Sequence, residues 1–168
     1  HELDDFEAFL TEVHDTAISI GLPAQTIIAE YGPSQFEIVL QHQDDALRAM
    51  DQAVLFKRVV KGVALKHGYV ATFSGQSAYN GVAILSREPP GEVSYDIGGH
   101  YADEQKRVLG ATFGDLRLWS LYVPNGQSVE SPKYRYKLEW FAALRSFARP
   151  CFKSPCTFLK SLPISLAS

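Results

Sequence analysis

The sequence predicts an α+β protein in which helices pack on a mixed or antiparallel sheet. The first half of the chain alternates helical and β-rich segments in the order α-β-β-α-β, and the second half places several strands before one helix. The 168 residues are 46% hydrophobic and 21% charged, which is typical of a globular chain able to bury a core.

The first half contains two helical patterns separated by a hairpin. Apolar residues at helical spacing predict a helix over residues 3–20, and Gly21 suits its C-terminal cap. The segment Thr26–Leu40 contains two β-rich runs around Gly-Pro-Ser, which favours a hairpin. A second helix is predicted to begin at Asp44 or Asp45 and to end at Gly68. The following "YVATF" is typical of a short strand.

The second half is richer in strands. The segment "NGVAILSR" is apolar on both faces, which predicts a central strand. The segment "RVLGATFGDLRLWSLYV" predicts a strand pair joined at Gly114-Asp115, where glycine in the first turn position suits a type II′ turn. Ser131 and Pro132 mark the start of a helix. The last residues, from 149 to 168, mix Ser, Pro, Leu, Phe and Cys without a clear period, and we expect a loosely packed tail.

Charge and composition narrow the classes of function. The net charge of −3 and the pI near 5.9 argue against general attraction to nucleic acid or membranes. We find no membrane-spanning run and no signal peptide, and the first residue, His1, indicates processing or excision from a longer chain. With only two cysteines, Cys151 and Cys156, we expect free thiols and a cytoplasmic location.

Two glutamates in the hairpin form the first candidate site. If Tyr31 pairs with Phe36 across a four-residue turn, Glu30 faces Glu37, and directly opposed like charges are destabilising. A divalent cation would offset the repulsion, because Mg²⁺, Mn²⁺ and Ca²⁺ take carboxylate oxygens. The alternative is that one glutamate pairs with Lys or Arg and the other is exposed.

The segments "AEYGPSQFEIVL" and "DDALRAMDQAVLFKRVVKGVALKHGYVATF" resemble glutamine synthetase, in the branch that includes γ-glutamylamine ligases. The resemblance covers residues 1–73 and implies that Glu30 and Glu37 are metal ligands near the ATP phosphates and glutamate. Ser34 stands where the family usually has Gly. After Phe73 the family continues with Met-Ala-Lys-Pro and a Gly-rich segment carrying a histidine ligand, whereas this chain continues with "SGQSAYNG".

The segments "GQSAYNGVAILSR" and "LYVPNGQSVESPKYRYKLEWFAAL" resemble exonuclease III, a family of metal-dependent apurinic endonucleases. The resemblance covers residues 74–147 and implies that Tyr122 lies near the scissile phosphate. The alternative is a half-buried tyrosine at a strand end. The "Q-E-T-K" segment with its metal-binding Glu, the "G-D-x-N" motif and the late Asp-His pair of the family are absent from this sequence, so in-line attack has no activated water.

The two resemblances predict a chimera with a non-standard topology: a ligase-like segment (1–73), a nuclease-like segment (74–148) and a tail of unrelated or frame-shifted origin (149–168). An artificial recombinant, a library product and an environmental open reading frame remain open as sources. We expect neither parent activity. The alternatives are a weak divalent-metal-dependent hydrolase of a small ester, lactone or phosphate, with an unknown substrate, and a residual DNA binder. Exposed strand edges favour a homodimer.

Overall fold

A computed structural model describes residues 2–29, 35–76, 81–97, 103–151 and 156–161, and it confirms the α+β class. The described strands form three sheets: two antiparallel pairs, and a four-stranded mixed sheet in which the last two strands run parallel. The elements, in chain order, are α1 (Glu2–Ser19), β1 (Ala24–Ala29), β2 (Phe36–Leu40), α2 (Ala46–Lys66), β3 (Val70–Gly75), β4 (Gly81–Ser86), β5 (Val93–Ser94), β6 (Val108–Phe113), β7 (Leu116–Tyr122), α3 (Pro132–Cys151) and β8 (Cys156–Ser161).

Local signals set the ends of α2. The Asp45 carboxylate accepts hydrogen bonds from the backbone N–H groups of Leu47 and Arg48, which makes Asp45 the N-cap. At the other end Gly68 has a φ of +75°, a backbone conformation that residues other than glycine rarely adopt. Its N–H donates to the Leu65 carbonyl and the next N–H donates to the Ala64 carbonyl, the two bonds of a Schellman motif. The predicted start and end of this helix are confirmed.

The hairpin between β6 and β7 is also confirmed. Phe113 pairs with Leu116, so two residues form the turn, and Gly114 has a φ of +56°. Among the described residues Gln127 is the one non-glycine residue with a positive φ, so Asp115 has a negative φ. A positive φ at the first turn position alone is the pattern of a type II′ turn.

Within the described parts of the chain, buried side chains form three clusters. The first lies between α1, the β1–β2 pair and α2, and includes Val13, Leu40 and Phe56. The second lies between the four-stranded sheet and α3, around Trp119 and Trp140. The third joins Val82 and Ile84 of β4 to Leu109 and Ala111 of β6. The β3–β4 pair therefore packs on the four-stranded sheet, while Ala71 and Leu85 from the same pair contact the first cluster.

The prediction that "NGVAILSR" forms a central strand is wrong. Among the described residues β4 pairs only with β3, from Val70↔Ser86 to Gly75↔Gly81. Val82 and Ile84 are nevertheless buried, because one face of β4 packs on β6. The apolar composition of β4 therefore reflects packing of its face on another sheet. It does not reflect a central position between two neighbouring strands.

The prediction of a loosely packed tail is wrong for residues 156–161. Helix α3 extends to Cys151, and β8 then pairs in parallel with β7 over six residue pairs, from Arg117↔Cys156 to Tyr122↔Ser161. A parallel partner needs a crossover connection, and α3 supplies it. Among the described residues, no helix is both long and apolar enough to cross a bilayer.

Candidate functional site

The register of the β1–β2 hairpin differs from the prediction that Glu30 faces Glu37. Phe36 pairs with Ala29, and Glu37 lies opposite Ile28. Glu30 lies outside the described residues. The predicted pairing is wrong by two residues because it was counted from an assumed four-residue turn. The core instead sets the register: Ile27 lies opposite Ile38, and both pack against the helices.

The described residues do not gather a metal-ligand set around Glu37. Its side chain is half-buried on β2, and the residue across the ladder is apolar. No group of three or more His, Cys, Asp or Glu side chains within the described part of the chain is arranged to hold a metal ion. The described residues alone therefore do not fit the cation that the ligase resemblance implies.

Tyr122 lies at the end of β7, beneath an arginine. Its backbone N–H donates to the Arg107 carbonyl at 2.7 Å, and the Arg107 guanidinium carbon lies 4.3 Å from the centre of the Tyr122 ring. This is the geometry of a cation–π contact. The ring is half-buried and contributes to the third core cluster. The phenol ring is therefore packed between the core and the guanidinium group.

Arg107 is buried at the centre of a cluster of half-buried polar side chains that the sequence did not reveal. Arg107 ends the polar run "DEQKR", yet it is only 7% exposed. Its Nε donates to Gln105 Oε1 at 2.8 Å and to the Tyr136 hydroxyl at 3.1 Å, and Nη2 also donates to Gln105. We call Asp103, Gln105, Arg107, Tyr122 and Tyr136 the Arg107 cluster.

Tyr136 links α3 to this cluster. Its hydroxyl donates to the Asp103 carboxylate, with oxygen–oxygen distances of 2.9 and 3.0 Å, and accepts from Arg107. Burial and the Asp103 carboxylate raise the pKa of Tyr136 well above its usual value, and the opposing effect of Arg107 is smaller. The phenol therefore stays protonated, and it acts as a hydrogen-bond donor and not as a nucleophile.

A second polar contact joins α1 to the end of α2. Glu12 accepts from Lys66 Nζ through one carboxylate oxygen, and its other oxygen lies 2.8 Å from His67 Nε2. The hydrogen bonds to Lys66 and His67 hold the pKa of Glu12 below its usual value. The Phe9 ring lies edge-on against the His67 imidazole, with ring centres 5.7 Å apart. The His67 imidazole is half-buried against α1.

A surface cavity of about 200 Å³ opens on the α3 side of the Arg107 cluster. Its lining mixes acidic and basic side chains: Glu130, Pro132, Arg135, Tyr136 and Glu139. The one lining residue that also belongs to the cluster is Tyr136, whose hydroxyl is already engaged by Asp103 and Arg107.

Comparison with known proteins shows partial matches to two enzyme families. Residues 1–83 match the glutamine synthetase catalytic domain. The chain is 41% identical over 71 residues to the gamma-glutamylputrescine synthetase of Escherichia coli (strain K12), covering 42% of this chain and 15% of that protein. These matches confirm the first resemblance.

The second resemblance is confirmed by both sequence and structure. The chain is 35% identical over 81 residues to a DNA repair nuclease of Danio rerio, covering 48% of this chain and 26% of that protein. The 3'-5' exonuclease of Neisseria meningitidis superimposes with a TM-score of 0.56 at 36% identity, over 60% of this chain and 40% of that chain. This protein therefore carries fragments of two enzyme families and spans less than half the length of each of these relatives.

Proposed function

We propose that this protein is a folded fusion of a ligase-like and a nuclease-like fragment and has neither parent activity. The observation that carries the proposal is the pairing of β3 with β4. We assign β3 to the ligase-like segment and β4 to the nuclease-like segment, and the two strands pair over six residue pairs.

This pairing supports the proposal because of what the ligase resemblance implies. In that family the chain after Phe73 leads to a Gly-rich segment with a histidine ligand. Here Ser74 and Gly75 continue β3 and pair with Val82 and Gly81 of β4. Ser74 and Val82 are both buried, so this hairpin is part of the core. Under this assignment, β4 follows β3 where the ligase family has its catalytic segment.

The surroundings of Tyr122 support the same proposal for the nuclease-like half. The Tyr122 ring lies under Arg107, which is buried. Asp103 and Tyr136 engage each other in the same cluster. These groups stabilise the packing of β7 against α3, which is a structural role.

The test is a pair of activity assays with active relatives as positive controls. The first assay measures ADP release during ATP-dependent condensation of glutamate with putrescine or isopropylamine. The second uses gel electrophoresis to detect cleavage of a duplex with one abasic site. Both assays contain Mg²⁺. We expect turnover equal to the blank in both. Cleavage that requires Mg²⁺ and is lost in Tyr122→Phe would overturn the proposal, as would amine-dependent ADP release lost in Glu37→Gln.

The second candidate function is weak hydrolysis of a small ester, lactone or phosphate with a divalent cation on Glu30 and Glu37. It is favoured by one observation: Glu37 is half-buried in a strand whose partner, β1, ends at Ala29, directly before Glu30 in the chain. The cation would supply Lewis acidity and a bound water of lowered pKa.

Thermal unfolding distinguishes this candidate from the first. A cation that binds only the folded chain must raise its melting temperature. If the candidate is correct, Mn²⁺, Mg²⁺ or Ca²⁺ raises the melting temperature of the parent chain but not of Glu30→Gln or Glu37→Gln. Glu7→Gln, on the exposed side of α1, is the matched control and should retain the rise. A melting temperature that is indifferent to all three cations rejects the candidate.

A further inference from the structure

The outer face of α2 exposes large apolar side chains. Leu47, Val54 and Leu65 are 74%, 50% and 77% exposed, whereas the opposite face of the helix buries Phe56 and Val63. Such residues on the solvent side of a 21-residue helix are not explained by the core of one chain. We call the line of Leu47, Asp51, Val54, Arg58, Lys61 and Leu65 the α2 outer stripe.

The spacing within the stripe is that of a coiled-coil seam. Successive members are separated by four, three, four, three and four residues, as the a and d positions of a heptad are. Every member is exposed. The stripe therefore presents a continuous seam that a second helix can pack along.

The charges of the stripe match those of a second copy in antiparallel orientation. A two-fold axis at the level of Phe56 places Leu47 beside Leu65 of the other copy, because each lies nine residues from the axis. The same axis places Asp51 beside Lys61 of the other copy, five residues from the axis on either side. The interface is thus self-complementary, as a two-fold interface must be.

The third pair of facing residues, Val54 and Arg58, is compatible with this arrangement. Val54 lies beside Arg58 of the other copy, and the aliphatic stem of an arginine covers an apolar neighbour while its head stays in water. Lys61 Nζ lies 5.0 Å from the centre of the Phe73 ring. Its side chain is exposed and long enough to leave that ring for a carboxylate.

We propose that the α2 outer stripe is a homodimer interface formed by two antiparallel α2 helices. The occupant is a second copy of this chain, because the stripe places an acidic and a basic residue in register with each other under its own two-fold axis. This surface differs from the exposed strand edges that the sequence suggested for a dimer.

Sedimentation equilibrium over a concentration series tests the proposal with charge reversals. Asp51→Lys and Lys61→Asp each place like charges in two layers of the dimer, and we expect each to weaken self-association at least about tenfold. The double variant Asp51→Lys/Lys61→Asp restores opposite charges and should recover the affinity of the parent chain. Arg48→Asp, on the same helix outside the stripe, is the matched control and should leave the affinity unchanged. Far-UV circular dichroism establishes that each variant is folded.

Three results would overturn the proposal. A parent chain that is monomeric at every concentration has no such interface. Self-association that survives both single reversals uses another surface, such as a strand edge. A double variant that remains as weak as the single variants shows that Asp51 and Lys61 do not meet across the interface.

Discussion

At the scale of single residues, Gly110 shows how closely the four-stranded sheet packs. Gly110 lies opposite Trp119 in the β6–β7 ladder, and the indole ring covers the glycine. A Cβ atom added at Gly110 would lie 2.5 Å from the Trp119 ring, which is only 4% exposed. Phe147 lies edge-on against the same ring, with centres 4.7 Å apart, so the indole has little room to move.

Gly110→Ala is therefore expected to lower the free energy of unfolding by roughly 1–3 kcal/mol, the usual cost of overpacking a core. Urea unfolding monitored by tryptophan fluorescence measures the change. Gly62→Ala is the matched control, because its Cβ would meet no atom within 4 Å and alanine is the better helix former. Equal stability of the two variants would contradict the close packing of Trp119 on Gly110.

Tyr136→Phe tests the Arg107 cluster. Removing the hydroxyl takes one donor from the half-buried Asp103 carboxylate, which keeps the Gln105 N–H, and one acceptor from Arg107 Nε. We therefore expect a loss of roughly 1–3 kcal/mol at neutral pH. Urea midpoints of the two proteins at pH 7 give this difference. A variant as stable as the parent would show that the hydroxyl is not needed.

The same pair of proteins has a predicted pH dependence. The folded state raises the pKa of Tyr136, so above about pH 10 the unfolded chain binds fewer protons than the folded chain. The stability contributed by Tyr136 is therefore fully present below pH 10 and is lost as the pH rises. The difference between the parent and Tyr136→Phe should narrow in alkaline urea titrations, and a constant difference would contradict the raised pKa.

At the scale of elements, Glu12 joins two helices that are distant in the chain. Because Lys66 and His67 hold its pKa below the unfolded value, the stabilisation is present above the unfolded pKa and is lost as the pH falls through the folded pKa. The contact lies near the C-terminus of α2, where positive charges are favourable.

We expect Glu12→Gln to lower the melting temperature at pH 7 and to have a smaller effect in acid, below the folded pKa of Glu12. Melting curves from pH 2 to pH 8, which bracket that range, measure the difference. Glu7→Gln removes the same charge from the exposed side of α1 and should change the melting temperature little. A Glu12→Gln effect independent of pH would indicate lost packing instead of a lost charge.

At the scale of the whole molecule, the β3–β4 pair connects the two halves. Val82 and Ile84 pack with β6, and Leu85 contacts the helical cluster of the first half. Both tryptophans, Trp119 and Trp140, lie in the second half, whereas α1 and α2 lie in the first. Tryptophan fluorescence therefore reports the second half alone, whereas helical circular dichroism reports all three described helices, two of which lie in the first half.

We expect the two signals to give coincident urea transitions, which is the mark of one cooperative unit. Ile84→Ala should shift both midpoints together and lower the free energy of unfolding by roughly 2–5 kcal/mol, because Ile84 is 6% exposed. Val70→Ala, in the same hairpin but 37% exposed, is the control with a small expected effect. Separate transitions would mean that the halves unfold independently.

The sequence by itself determined the helices, the tight turns and the two family resemblances. Asp45, Gly68 and Gly114 act through bonds and dihedral angles within a few residues, so their consequences can be derived locally. The comparisons confirm both resemblances as partial matches. The predicted α+β class followed from the order of these local elements.

Only the tertiary structure decided which segments meet. The register that places Glu37 opposite Ile28 depends on core burial, and β8 pairs with β7 across the whole of α3. Arg107 is buried because Tyr122 and Tyr136, from two later elements, surround its guanidinium group. Such contacts join residues far apart in the chain, and their free energy depends on shapes and distances that a residue pattern does not encode.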